Sequence, residues 1–182
     1  MILSMGHNMN SKRKLEILNH VRLVLSDVDG VLTDGGMYYS EKGEEFKKFN
    51  TRDGMAVELL HKSGIKTALI SRENSRIITK RASKIKADKA YLGIQKKELE
   101  IMKICNRFHI DPTNIVYIGD DLNDLEIMKM VGFSATPYDG NLEIKKIANY
   151  ICKARGGEGV LREVADLIIK EKNKNEENKS AR

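Results

Sequence analysis

The segment Val21-Arg22-Leu23-Val24-Leu25-Ser26-Asp27-Val28-Asp29-Gly30-Val31-Leu32-Thr33-Asp34-Gly35 decides how the rest of the chain is read. Its first half is a short aliphatic, β-branched run, the pattern of a strand buried on both faces. It then turns abruptly acidic. A strand period aims Asp27 and Asp29 to the same side, with Gly30 beside them. Like charges at the mouth of an apolar strand repel unless a cation or a shared proton compensates them. The simplest compensation is a hard divalent ion such as magnesium, which takes oxygen ligands and leaves room for a phosphate. An aspartate in such a place can also serve as a nucleophile that is transiently phosphorylated. Standing alone, Asp-x-Asp reads as an Asx-rich turn after a strand, so the residues downstream decide between the two.

A chain of 182 residues with 41% hydrophobic and 32% charged residues suits one α/β domain with a sizeable core. No apolar run reaches the length of a membrane span, and Met1 to Lys14 has no apolar stretch of signal-peptide length, so a cytoplasmic protein is expected. Cys105 and Cys152 stand far apart without metal-ligand spacing and are read as free thiols. Most of the net charge of +6 sits in the first fourteen residues and the C-terminal tail. No nucleic-acid recognition motif accompanies it, and neither nucleic acid nor membrane is expected as a partner.

The spacing predicts a flexible segment 1–14, one domain over 15–170, and a disordered tail 171–182, which is charged, amide-rich and without apolar period. A β-hairpin is expected at about 36–49, turning at Ser40–Gly43, with Tyr38, Phe46 and Phe49 as an apolar flap that needs a partner. Asp53 is a plausible cap for the helix that follows. Buried strands are expected at Lys66–Ile70 and Asn114–Ile118, a weaker one at Ala87–Leu92, and a helix at Lys97–Phe108 with Leu99, Met102 and Phe108 inward. Alternating strands and helices imply a Rossmann-like α/β fold with a parallel sheet, whose ligands bind beyond the carboxyl ends of the strands. Asp27, Asp29, Ser71, Lys97 and Asp120 to Asp124 all lie at or just after predicted strand ends, so one crevice can gather them.

Phosphoryl transfer needs an in-line nucleophile, a proton donor for the leaving group, neutralised phosphoryl oxygens and a metal. Asp27 is the candidate nucleophile, Asp29 the acid and base, Ser71 a hydrogen-bond donor to phosphate and Lys97 a fixed positive charge. Asp120 would complete a metal site with Asp27 and Asp29, while Asp121 and Asp124 would hold metal-bound water or orient Lys97. Singly, Ser71 reads as a cap, Lys97 as a solvated helix residue and Gly-Asp-Asp-x-x-Asp as an acidic helix start. Their joint order at strand ends carries the reading.

Asp-Val-Asp-Gly-Val-Leu-Thr-Asp-Gly, Leu-Ile-Ser, Lys97 and Gly-Asp-Asp-Leu-Asn-Asp resemble the four motifs of the haloacid dehalogenase superfamily. Residues 22–168 are most similar to its capless branch of 3-deoxy-D-manno-octulosonate 8-phosphate phosphatases and nonulosonate (sialic-acid-like) 9-phosphate phosphatases. The hairpin, Phe-Asn-Thr-Arg-Asp-Gly and Arg-Gly-Gly-Glu-Gly-Val-Leu-Arg-Glu also fit that branch. The resemblance implies a magnesium-dependent phosphatase, usually a homotetramer whose hairpins associate, with a neighbouring subunit and the Gly-rich C-terminal segment helping to close the site. Ser71-Arg72-Glu73-Asn74 departs from the octulosonate pattern and is more like the nonulosonate enzymes. A 2-keto sugar acid carries a carboxylate remote from its phosphate, for which a guanidinium is well matched. Arg52, Arg72 and Arg155 are the candidates, with Thr33 and Glu73 as further substrate contacts. The rival readings are a phosphorylation-switched receiver domain, whose acidic pair and acceptor aspartate come in the opposite order along the chain, and a catalytically silent tetramerisation module.

Overall fold

The aliphatic run of the opening segment becomes a central strand whose residues are all buried. The computed structural model describes residues 11–180. Helix α1 (Ser11–Asn19) precedes strand β1 (Leu23–Ser26), and the hairpin follows as β2 (Tyr38–Ser40) and β3 (Gly43–Phe46). Next come α2 (Thr51–Lys62), β4 (Lys66–Ile70), α3 (Arg76–Lys84), β5 (Lys89–Tyr91) and α4 (Lys97–Phe108). The chain continues through β6 (Ile115–Ile118), α5 (Leu125–Met130), β7 (Phe133–Thr136), α6 (Leu142–Ile147), β8 (Tyr150–Ile151) and α7 (Val160–Ser180). The strands outside the hairpin form one parallel sheet in the order β5-β4-β1-β6-β7-β8. The chain builds outward from β1 through β4 to β5 and then crosses to β6 on the other side. The crevice where the direction reverses therefore opens at the carboxyl ends of β1 and β6.

Alternation along β1 explains why it must be apolar throughout. Leu23 and Leu25 pack with Ala68, Ile70, Tyr117, Ile101 and Ile104 on one face. Val24 packs with Leu69, Val116, Val57, Leu60 and Val164 on the other. The two buried layers hold the sheet between α2, α3 and α7 on one side and α4, α5 and α6 on the other.

The stripe of α4 that faces the core runs through Lys97, Ile101, Ile104 and Cys105, while Leu99 and Met102 are exposed. Lys97 enters the site, and the residues four, seven and eight positions on share its face. Asn50, not Asp53, caps α2, its side chain accepting from the Arg52 N–H at 3.0 Å. Asp53 is buried and instead accepts from the Arg162 N–H at 3.2 Å, tying α2 to the start of α7. Burial pushes its carboxyl up to about 6.

The expected disorder is replaced in residues 171–180 by the continuation of α7. Val164, Ala165 and Ile168 anchor the first turns in the core, and extending a nucleated helix through Lys- and Glu-rich sequence is easy; Glu171 and Lys174 pair at 3.0 Å along it. At the other end α1 takes up residues 11–14, and Leu18 joins the core; the rest of the expected flexible segment, residues 1–10, lies outside the described residues. Cys105 and Cys152 are free and buried, as read from their spacing. No helix among the described residues is long and apolar enough to cross a membrane.

Candidate active site

The sheet delivers Asp27 first. Its N–H donates to the Ile118 carbonyl at 2.8 Å, which joins the ends of β1 and β6. Its carboxylate is buried, with Oδ1 accepting from the Val28 N–H at 2.7 Å and Oδ2 lying 2.7 Å from Lys97 Nζ. Lys97, the first residue of α4, is buried between two carboxylates, since Asp124 Oδ1 is also 2.7 Å away. Tyr117 at the end of β6 donates its hydroxyl to the same Asp124 oxygen at 2.6 Å. The other oxygen of Asp124 accepts from the Asp120 N–H at 2.9 Å. Asp124 is thus the post that fixes both Lys97 and the Asp120 loop.

Carboxylate oxygens of Asp27, Asp120 and Asp124 all lie within 4.8 Å of one another. One buried ammonium does not neutralise three carboxylates. Burial and the charge of Asp124 therefore hold Asp27 well above the usual carboxylate range despite Lys97. Burial and the same neighbour push Asp120 up to about 7. Burial also opposes the charge on Lys97, but Asp27 and Asp124 outweigh it and keep the ammonium protonated. Crowded oxygen donors with unmet negative charge suit a hard divalent cation. The residues that fit one are Asp27 and Asp120 with Asp124 behind them.

The Asp29 carboxylate, expected to share a metal with Asp27 and Asp120, is not among the clustered oxygens. β1 ends at Ser26, so the strand period does not carry through Asp27-Val28-Asp29, and the two carboxylates turn to different partners. Asp29 Oδ1 accepts from Lys47 Nζ at 2.7 Å, and Oδ2 from Ser71 Oγ at 3.3 Å. Ser71 follows β4 and is itself buried, its oxygen also accepting from the Glu73 N–H at 3.0 Å.

These groups face a cavity of about 500 Å³, floored by Asp27, Asp29, Ser71 and Asp120 and rimmed by Met37, Arg72, Glu73, Gln95, Asp121 and Asn123. Arg72 and Gln95 clasp each other across the rim: the guanidinium donates to Gln95 Oε1 at 3.2 and 3.4 Å, and Gln95 Nε2 to the Arg72 carbonyl at 3.4 Å. Asp121 accepts from Asn141 Nδ2 at 3.0 Å and stays at the opening. The loop after β1 closes tightly on this floor. Gly30 has φ +80°, and a methyl group added there would overlap the Asp120 carboxylate.

Three expected substrate contacts are not brought to the cavity. Thr33 is buried, and its hydroxyl accepts from the N–H groups of Gly30 and Gly35, both at 3.2 Å, so it shapes the loop. Arg52 is exposed beside Gly159. Arg155 lies 5.3 Å from the Tyr138 ring and 3.8 Å from Asp139. The Gly-rich segment that carries it braces the catalytic loop from behind: Gly157 N–H donates to the Val31 carbonyl at 3.0 Å, and a side chain at Gly156 would strike the Gly30 carbonyl.

Lys47, Tyr117 and Gln95 escape the sequence reading. Tyr117 is one apolar residue of a strand, and Gln95 sits in a polar loop. Lys47 stands in a Lys47-Lys48 pair that reads as solvated, yet strand alternation offers a signal: with Phe46 pointing out, the next residue points in.

A buried carboxylate paired with an ammonium, a second carboxylate held by a hydroxyl and a lysine, and carboxylates crowded enough for a cation, gathered at one cavity, are groups of the kind phosphoryl transfer uses. Comparison with known proteins agrees. The model of the haloacid dehalogenase-like hydrolase family matches residues 39–164, more than half of the chain. The 3-deoxy-D-manno-octulosonate 8-phosphate phosphatase of Escherichia coli K12 is 35% identical over 150 residues, covering 82% of this chain and 80% of that protein. A crystal structure of the Yersinia pestis 3-deoxy-D-manno-octulosonate 8-phosphate phosphatase is 34% identical with a TM-score of 0.85, covering 90% and 89% of the two chains. That of the Moraxella catarrhalis enzyme, in complex with magnesium, phosphate and KDO, is 30% identical with a TM-score of 0.86, covering 94% and 99%.

Proposed function

The chain belongs to the haloacid dehalogenase-like hydrolases, and from that membership we propose that it is a magnesium-dependent phosphatase acting on an eight- or nine-carbon 2-keto-3-deoxy sugar acid phosphate. The observation that carries this reading is the meeting of Asp27, Ser71 and Asp120, from the ends of β1, β4 and β6, with Asp29 around one cavity, and with Lys97 buried against Asp27.

Asp27 attacks phosphorus, forming an aspartyl-phosphate as the ester P–O bond breaks. Asp29 gives its proton to the departing sugar oxygen and then takes one from the water that releases phosphate. Ser71 turns its hydroxyl to a phosphoryl oxygen, and Lys97 balances the charge that Asp27 and Asp124 concentrate there. Asp27 and Asp120, with Asp124 behind, would hold a magnesium ion, which would supply neutralisation of the phosphoryl oxygens. The gathering of Asp27, Asp29, Ser71, Lys97 and Asp120 at one site supports an enzyme over a silent assembly module.

Arg72 is the candidate for the distal carboxylate, already oriented at the rim by Gln95. The octulosonate-phosphate relatives support an eight-carbon substrate, while Arg72-Glu73 at the rim favours nine. The hairpin exposes Tyr38 and Phe46, which supports a homotetramer, and Arg52 and Arg155 would then serve a neighbouring subunit's site. The same reading places the enzyme in the cytoplasm.

The test is phosphate release from 3-deoxy-D-manno-octulosonate 8-phosphate and from a nonulosonate 9-phosphate, with and without chelator. Turnover of one or both that stops in chelator and returns with magnesium is expected. No turnover of either at millimolar substrate, or full activity in excess chelator, refutes the proposal.

A further inference from the structure

Lys47 and Lys48 are neighbours with opposite fates. Lys48 is exposed and lies 3.7 Å from Asp34, the kind of surface pair that contributes little. Lys47 has no exposed side-chain surface and puts its ammonium 2.7 Å from Asp29 Oδ1, with Met37 Sδ at 4.0 Å. The residue before it, Phe46, is 65% exposed. Sending a lysine inward and a phenylalanine outward inverts the usual partition, and a buried ammonium is tolerated only where a partner compensates its lost hydration. Asp29 is that partner. Its two oxygens are held from two directions, Oδ2 by Ser71 at the end of β4 and Oδ1 by the hairpin.

The arrangement has a consequence when substrate arrives. A phosphoryl group that takes the Ser71 hydroxyl releases Asp29 Oδ2, while the Lys47 bond to Oδ1 remains. We propose that Lys47 is a positioning residue for the acid–base step, holding the Asp29 carboxyl by Oδ1 so that Oδ2 delivers its proton to the leaving oxygen. In that step the Asp27–phosphorus bond forms, the ester P–O bond breaks and the proton moves from Asp29 to the ester oxygen. Lys47 does not line the cavity, and its side chain has no exposed surface. It acts through Asp29, which makes the hairpin part of the catalytic apparatus as well as an assembly surface. The inference rests on the acid–base role given to Asp29 above.

The test uses leaving groups of different basicity. A sugar alkoxide needs a proton to depart, and p-nitrophenolate does not, so misplacing the acid should harm the first substrate selectively. kcat/KM reports the steps up to P–O cleavage and leaves the later water attack out of the comparison. Lys47→Met should lower kcat/KM for the sugar acid phosphate by about 30-fold or more and for p-nitrophenyl phosphate by less than about threefold. Asp29→Asn should show the same selectivity with a larger loss, and adding Lys47→Met to it should cost nothing further, because both changes act on one group. Lys47→Gln, which keeps a donor but not the charge, provides the same comparison should the methionine variant not fold. Equal losses on both substrates, or losses that multiply in the double variant, would overturn the positioning role and leave Lys47 a structural residue. If Asp29→Asn itself harms both substrates equally, the acid–base reading of Asp29 is what fails.

Discussion

At the floor of the cavity Asp27, Lys97 and Asp124 are enclosed, each bonded to at least one of the others, and Tyr117 locks the group from beneath. The hairpin that walls the same cavity leaves Tyr38, Tyr39 and Phe46 exposed and enters the body through Lys47 and Phe49. Phe49 is half-buried under Arg81 and bridges to Thr33, so the apolar flap expected over Tyr38, Phe46 and Phe49 divides into two exposed aromatics and one anchor. The floor draws all its charged side chains from one chain, and the negative charge that Lys97 leaves unmet there is what a divalent cation would compensate. The hairpin carries apolar surface that one chain does not cover. The residues to which we assign the phosphoryl chemistry therefore come from one subunit, and the assembly we propose would shape the rim.

The largest expected effect breaks the floor. Asp27→Asn keeps the shape of the side chain but cannot form the aspartyl-phosphate, so kcat should fall by about 10⁴-fold or more. The melting temperature of the metal-free variant at neutral pH should not fall, since the amide relieves a crowded carboxylate. Turnover within tenfold of the parent would remove Asp27 as nucleophile.

Two glycine substitutions separate the regions directly. Gly30→Ala meets the Asp120 carboxylate at a φ of +80° and should cost about 2–4 kcal/mol in denaturant unfolding. Gly43→Ala in the hairpin turn has φ +108° but nothing within 4 Å, so strain alone should cost about 1–2 kcal/mol. Equal losses would mean that the floor is no more tightly specified than the hairpin.

At the rim, Arg72→Ala should lower kcat/KM for a sugar acid phosphate by about tenfold while barely changing it for p-nitrophenyl phosphate, which has no distal carboxylate. A common loss would put Arg72 in the phosphate site or the scaffold. Phe46→Asp should lower the oligomeric state measured by light scattering, and a parent protein that is already monomeric would end the assembly reading.

The smallest expected effect is on pH. Burial and Asp124 raise Asp120 from 3.8 to about 7, and Asp27 moves the same way. An acid whose folded value is raised favours the folded state at low pH and loses that advantage as pH climbs through the folded value. Metal-free protein should therefore lose stability between about pH 4 and pH 7, with Asp53 adding to the lower part of that window. Magnesium competes with those protons, so its stabilisation should amount to a few degrees more at pH 8 than at pH 5. A magnesium shift in melting temperature independent of pH would detach the cation from these carboxylates.

By itself the sequence determined the buried central strand, because an unbroken aliphatic run is what a parallel strand covered on both faces requires. It also determined where the functional groups stand, since Asp27, Ser71, Lys97 and Asp120 each mark the end or start of an element, and element ends are written in local pattern. Which atom each side chain meets was decided only by the tertiary structure. Asp29 took Lys47, eighteen residues away, as the partner of its carboxylate, and Asp124, expected to orient Lys97 or hold metal-bound water, took the Lys97 ammonium and the unforeseen Tyr117 hydroxyl together. Thr33 became a loop brace and Arg155 a surface residue because the Gly-rich segment packs against the catalytic loop instead of opening onto the cavity. The physical reason is one of range. Propensity and periodicity act over a few residues, whereas the partner of a buried charge is set by whichever distant group the fold brings within hydrogen-bonding distance.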